Sequence, residues 1–375
     1  MTTIPLVDLR AQYQSIKDEV DTAIAEVIAA SAFIRGPHVE RFETGFAAAV
    51  GARHCVSCAN GTDALYIAMS ALKLRAGDEV IVPAMSWIST SETVTQAGGR
   101  VVFCDIDPVT HTLDPEKLAE AISSRTVGIV PVHLYGHPAR IDRIMDIAQT
   151  HGLWVLEDCA QAHMASFRGS TVGTFGIAGT FSFYPGKNLG AMGDAGAIVT
   201  EDETLAERMA MFAHHGGVRK HDHRIEGINS RMDGLQAAVL NVKLPHLSLW
   251  TERRRDMAER YGRLLSEAAG LKLPVEDEGA QHVWHLYAVC VEGRDALARQ
   301  LREREIETGV NYPTALPFLP CYAGHKHVPE EFPNAHALSE QTLSLPLFPE
   351  MTERQQDVVV RGVQKALSQT RRDAG

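Results

Sequence analysis

The sequence predicts an α/β protein with a mostly parallel central sheet and a smaller C-terminal domain. Through the first 245 residues, short and nearly continuous apolar runs alternate with helix-period segments, the pattern of strands covered on both faces. After about residue 245 the alternation gives way to a long charged helix and a few isolated apolar runs. A chain of 375 residues is also too long for one ordinary core. The expected division is a large domain over 1–245 and a small one over 246–375.

The elements follow in order. Leu9, Tyr13, Ile16, Val20, Ile24 and Val27 recur at steps of three and four, which marks one amphipathic helix. The Ile-Arg-Gly-Pro run at 34–37 stops it, and a second helix runs through Phe42 and Phe46. Strands are expected at 54–58, 79–84, 100–107, 126–136, 153–160, 179–184 and 196–200, with helices such as 65–74 and 141–151 between them. Segment 214–230 lacks periodicity and reads as a long polar loop, often functional in a compact enzyme. Residues 230–244 read as a helix ended by Pro245, followed by a charged helix over roughly 247–269. Segments 285–291 and 304–312 suggest the mixed small domain, closed by a helix from about 351.

Composition removes several function classes. A net charge of −11 argues against a nucleic-acid groove, which needs concentrated Lys and Arg. The densest basic run, Arg253-Arg254-Arg255, sits in a charged helical pattern and reads as a solvated face. No apolar run approaches the ~20 residues needed to span a bilayer. The first residues lack the basic and apolar regions of a signal peptide. Six scattered cysteines suit a reducing compartment, so the expected location is cytoplasmic.

Ligands of such sheets bind beyond the carboxyl ends of the strands, and four motifs fall there. In 58–65, Asn-Gly-Thr-Asp joins a strand to a helix. Gly61 permits close approach, and Thr62 with the free helix-start N–H groups can hold a phosphate; an ordinary strand–turn–helix connection has the same pattern. In 155–163 a strand delivers Glu157 and Asp158, with Gln161 three residues on. A carboxylate there can pair with a cationic ring nitrogen, or simply cap a helix. In 179–196, Lys187 follows an apolar strand within a glycine-rich turn, and Ser182 faces away from its strand neighbours. A partly desolvated lysine amine is a nucleophile and proton carrier; a solvated loop lysine is the alternative. In 227–240, Asn229 lies before a helix and either caps it or contributes to a phosphate site.

Taken in this order and at these separations, the four stretches resemble the DegT/DnrJ/EryC1/StrS family: pyridoxal-phosphate-dependent sugar aminotransferases of the aspartate-aminotransferase fold, fold type I. The resemblance extends from Asp8-Leu9-Arg10-Ala11-Gln12-Tyr13 to the Ser344–Met351 stretch. It implies that Lys187 forms the Schiff base with pyridoxal 5'-phosphate, that Asp158 pairs with the pyridine nitrogen and that Gln161 contacts the ring hydroxyl. It further implies that Gly61, Thr62 and Ser182 hold the phosphate, that Trp87 stacks on the ring, and that Asn229 reaches the phosphate in the neighbouring subunit of a homodimer with shared sites. Glutamate is the implied amino donor and a nucleotide-linked keto-deoxy sugar the acceptor. The run Gly186–Ala197 looks more like members acting on 3-keto than on 4-keto sugars. Family members often carry a histidine near Pro317, but this chain reads Ala315-Leu316-Pro317 there, so only Tyr312 is carried over as a substrate contact. A cyclitol aminotransferase and a non-enzymatic regulator are the rival readings on the same fold. The family's sugar dehydratases have histidine in place of the Schiff-base lysine, and Lys187 speaks against them. No metal is expected: the histidines at 214, 215, 221 and 223 lack ligand spacing on a defined helix, and Cys55 and Cys58 read as strand packing.

Overall fold

The computed structural model describes residues 3–219 and 221–374. Its central sheet is built from β1 (His54–Cys58), β2 (Glu79–Pro83), β3 (Arg100–Cys104), β4 (Thr126–Ile129) and β5 (Trp154–Asp158). After a short hairpin of β6 (Ser166–Phe167) and β7 (Ser170–Thr171), β8 (Ala178–Ser182) and β9 (Gly196–Thr200) complete it. The spatial order is β1-β9-β8-β5-β4-β2-β3. Pairs from β8 through β5, β4 and β2 to β3 are parallel, while β9 runs antiparallel to both β8 and β1. Strands β2, β8 and β9 are buried almost throughout, as their unbroken apolar runs require.

The remaining strands are short. They are β10 (Gly217–Arg219), β11 (Asp222–His223), β12 (Leu271–Lys272), β13 (Ala280–Gln281), β14 (Tyr287–Val291) and β15 (Thr342–Leu345). β12, β14 and β15 form an antiparallel sheet. Helices Leu247–Leu265, Arg294–Arg302 and Glu353–Ala374 supply Tyr261, Leu301 and Val359 to the core over that sheet.

Several elements differ from the sequence reading. The expected single helix over 9–27 is two, Leu9–Ser15 and Lys17–Ala30, because Ile16 leaves the helical region and its N–H bonds back to Tyr13. The apolar run 126–136 yields a strand only to Ile129. Pro131, which has no N–H to donate, interrupts it, and the chain then follows β5 through the Val132–Asp158 bridge into a turn at Leu134–Gly136. Segment 214–230 contains the β10–β11 hairpin. The helix expected over 230–244 is Gly234–Lys243, and its N-cap is Asp233. Some contacts cross the expected boundary at residue 245. Ile4 pairs with Ile306 and packs with the C-terminal cluster, whereas Leu316, Tyr322 and Phe332 pack with the central sheet.

Candidate active site

The carboxyl ends of β1, β2, β5 and β8 point to one side of the sheet, and the residues just beyond them converge there. At the end of β8 the chain turns through 183–195 before re-entering as β9, whose first residue, Gly196, pairs with Ser182 on one side and Cys58 on the other. The loop closes on itself by Lys187 N–H to Tyr184 O (2.9 Å) and Ala191 N–H to Phe183 O (2.8 Å). Gly190 is required: a Cβ there would lie 2.3 Å from the Pro185 carbonyl oxygen. This fold leaves Lys187 half-buried in the wall of a cavity, where loss of water around the amine lowers its pKa to about 8, opposed by the Asp158 carboxylate.

Asp158 ends β5 and is buried. Its Oδ2 accepts from Thr90 Oγ1 (2.8 Å) and its Oδ1 from Ala160 N–H (3.1 Å). Burial raises its carboxyl pKa, against the pull of Thr90, Ala160 and Lys187. Glu157, one residue earlier, faces away into a saturated network: it accepts from Gly173, Phe175 and Gly176 N–H and pairs with His133. His133, Glu157 and Cys159 lie close enough to suggest a metal, but these bonds already occupy the Glu157 oxygens.

Gln161 is committed on both ends, accepting from Tyr135 N–H (2.6 Å) and donating to Tyr312 Oη (2.9 Å). Helix Gly61–Leu72 begins against β8: a Cβ on Gly61 would sit 2.6 Å from Ser182 Cβ. Thr62 Oγ1 is 2.6 Å from Ser89 Oγ, and Asn60 caps the helix through Asp63 N–H. Gly61, Thr62 and Ser182 therefore share one small region at a helix N-terminus. Trp87 is exposed, its ring centroid 5.5 Å from that of Tyr312.

Asn229 stands apart. It does not cap the following helix, since Asp233 holds that position; it is exposed and bridges to His214. The histidines at 214, 215, 221 and 223 lie on and beside the β10–β11 hairpin. Cys55 and Cys58 are both free, Cys58 in the sheet core and Cys55 partly buried against the opposite layer.

Sequence reasoning does not single out Thr90, Tyr135, His163 or His285, and it misplaces Arg254. The Arg253–Arg255 run is expected on a solvated face, but Arg254 is buried and donates through Nη1 to the Trp284 (3.3 Å) and Leu347 (2.9 Å) carbonyl oxygens, on the side of its helix that packs inward. Thr90 sits in the helix after Trp87, where its serine- and threonine-rich surroundings were the only signal. His163 is buried between Phe181 and Phe183, and burial lowers it to about 3. His285 and Arg254 come from distant segments to line one cavity with Lys187, Gln161 and Tyr312, a meeting only the folded chain displays.

The residues fit pyridoxal phosphate. A buried carboxylate whose donors among the described residues are neutral has capacity for a cationic ring nitrogen, and a helix start kept open by glycine suits a phosphate. A sheet of this order, a lysine on the β8–β9 loop and a buried aspartate at the end of β5 together define a fold type I, pyridoxal-phosphate-dependent aminotransferase. The chain belongs to the DegT/DnrJ/EryC1/StrS aminotransferase family, whose pattern matches residues 14–364. It is 43% identical over 362 residues to the pleiotropic regulatory protein of Geobacillus stearothermophilus, covering 96% of this chain and 97% of that one. It is 41% identical over 362 residues to the dTDP-3-amino-3,4,6-trideoxy-alpha-D-glucose transaminase of Streptomyces venezuelae, covering 96% of each. Among solved structures, S. venezuelae DesV in complex with a ketimine intermediate superposes with a TM-score of 0.96 at 40% identity, covering 98% of this chain and 99% of that one. Bacillus subtilis NtdA with bound cofactor PMP gives 0.90 at 32% identity, covering 98% and 86%.

Proposed function

We propose that this aminotransferase moves an amino group from glutamate to the keto group of a nucleotide-linked deoxy sugar, with a 3-keto acceptor favoured over a 4-keto one. The observation that carries the reading is the half-buried Lys187 amine lying within the electrostatic influence of the buried Asp158 at the strand ends, together with the S. venezuelae relative named for a 3-amino sugar. The cofactor, when bound, supplies an electron sink for bonds made and broken beside the transferred nitrogen. In this reading Lys187 would hold it covalently through its amine and, as a free amine, would serve as the proton carrier beside it. Asp158, steadied by Thr90, keeps the ring nitrogen cationic. Gly61, Thr62 and Ser182 hold the phosphate, Trp87 covers the ring, and Gln161 reaches the ring hydroxyl while fixing Tyr312 beside the substrate.

The same proposal includes a homodimer in the cytoplasm. Phe33, Ile34, Trp87, Tyr184 and Met192 are exposed apolar side chains; Tyr184 and Met192 lie on the Lys187 loop, and Phe33 and Ile34 adjoin Asp233 and Gly234, close to Gln236, which accepts from Met192 N–H. A second copy covering them would bring Asn229 to the partner's phosphate site. All six cysteines are free, as a reducing compartment requires, and no helix among the described residues is long and apolar enough to cross a membrane.

The test is a panel of dTDP- and UDP-linked 3-keto and 4-keto sugars with glutamate, read by mass spectrometry. Amination of a 3-keto member at the highest kcat/KM is expected. Preference for a 4-keto sugar would reverse the regiochemical part, and amination of a free cyclitol ketone alone would replace the whole reading.

A further inference from the structure

His285 lies just before β14 and lines the cavity that contains Lys187, Gln161 and Tyr312. Its protonation pattern follows from its neighbours. Asn188, the buried residue next to Lys187, donates through Nδ2 to the Val283 carbonyl oxygen (2.9 Å). A carbonyl only accepts, so the amide's orientation is fixed and its Oδ1 faces His285 Nδ1 at 3.3 Å. An amide oxygen also only accepts, so Nδ1 carries the proton. Burial holds the imidazole well below its ordinary pKa, and nearby Lys187 and Arg254 push the same way. The ring is therefore neutral, and Nε2 is its bare acceptor.

The segment is itself held in place. Val283 N–H bonds to Gly136 O (3.0 Å) and Leu286 N–H to Tyr135 O (3.2 Å), on either side of the ring. Leu6, Leu286, Leu345 and Leu347 make much of the remaining cavity wall. Arg254 in the same wall is a donor only, the Gln161 oxygen is already committed to Tyr135, and the Lys187 amine is taken up by its role toward the cofactor. A neutral acceptor in that setting matches a ligand that brings a donor, and a sugar hydroxyl is such a donor.

We propose that His285 is a further substrate-contacting residue, accepting a hydrogen bond through Nε2 from a hydroxyl of the keto sugar near the carbon that receives nitrogen. This rests on the keto-sugar reading above.

Two substitutions separate the ring's two contacts. His285→Asn keeps a donor for Asn188 and removes the acceptor in the cavity, whereas His285→Gln keeps an acceptor near the position of Nε2. Loss of one neutral hydrogen bond corresponds to about tenfold. Asn should lower kcat/KM for the sugar half-reaction by about that factor, Gln should restore most of it, and the glutamate half-reaction should stay within about twofold in both. A second readout needs no turnover: imidazole nitrogen NMR of histidine-labelled protein should show His285 neutral with Nδ1 protonated. Adding dTDP-glucose or UDP-N-acetylglucosamine should then shift Nε2, while dTDP or UDP alone should not. Equal losses in both half-reactions, or a sugar nucleotide that binds by calorimetry and leaves Nε2 unmoved, would overturn the role of His285 alone. If glutamate reacts normally but none of the keto sugars is accepted, the substrate reading falls and this role falls with it.

Discussion

At the residue scale, the consequences of desolvation at Lys187 have a definite sign. Its folded pKa of about 8 lies below the ordinary 10.5, so between those values the unfolded chain binds the extra proton. Stability then rises with pH across that interval, and at neutral pH the partly desolvated ammonium is a cost. Cofactor-free Lys187→Met should therefore be more stable than the parent at pH 7, by about 1–3 kcal/mol, with the gap closing towards pH 10 in chemical denaturation. Cofactor capture, followed by visible absorbance, should rise with a midpoint near pH 8. In Asp158→Asn the midpoint should move lower, because the carboxylate is what holds the amine's pKa up. The same substitution should slow transamination by more than the roughly 1.5–3 kcal/mol of one charge-assisted hydrogen bond, because charge develops at the ring in the transition state. A midpoint unchanged in Asp158→Asn would deny the coupling. Lys187 and Asp158 draw attention in the sequence as residues at or just after the ends of apolar strands, and the roles expected of them come from the resemblance of the four stretches to the family. The contributions of Thr90 and His285 were not legible there, since a hydroxyl on a short helix and a histidine beside β14 acquire their meaning from contacts 68 and 97 residues away in sequence.

At the element scale, the strands were read well where an apolar run had clear ends, as at β1 and β9, whose limits match the expectation residue for residue. They were read too long where the run continued past the sheet. Pro131 cut β4 short, and what looked like strand became the turn that presents Tyr135 to Gln161. The loop 214–230 hid a hairpin, because three- and two-residue strands leave almost no periodic signal. Packing between elements also makes two glycines testable. Gly61→Ala would drive a methyl into Ser182 and part the helix start from β8. Cofactor affinity should fall at least tenfold, while the cost in folding stays within the ~1–3 kcal/mol of ordinary overpacking. Gly190→Ala should open the loop that carries Lys187 and reduce the rate of cofactor capture even at saturating concentration. Unaltered affinity in Gly61→Ala, measured by absorbance titration, would remove the helix start from the phosphate site.

At the scale of the whole molecule, Asn229 is the residue that a single chain leaves unexplained. It is exposed, does not cap its neighbouring helix and is not part of the Lys187 cavity. In the proposed two-fold dimer one surface serves both subunits, and the proposal gives Asn229 to the site of the other chain. Mixed subunits carrying Asn229→Ala and Lys187→Ala should regain part of the activity that each lacks alone, since one site of the heterodimer receives both residues intact. Exchange without recovery would return Asn229 to a structural place on its own subunit. Dilution should also lower specific activity, and added cofactor should oppose the loss by mass action. The claim on which the assembled account converges is that Lys187, where the strand ends meet, is the covalent anchor of pyridoxal phosphate. Its most direct test is borohydride reduction of the holoenzyme followed by peptide mass mapping. The account predicts one pyridoxyl group per chain, on the peptide containing Lys187, and none in Lys187→Ala; a label on another lysine, or one that survives that substitution, would contradict it.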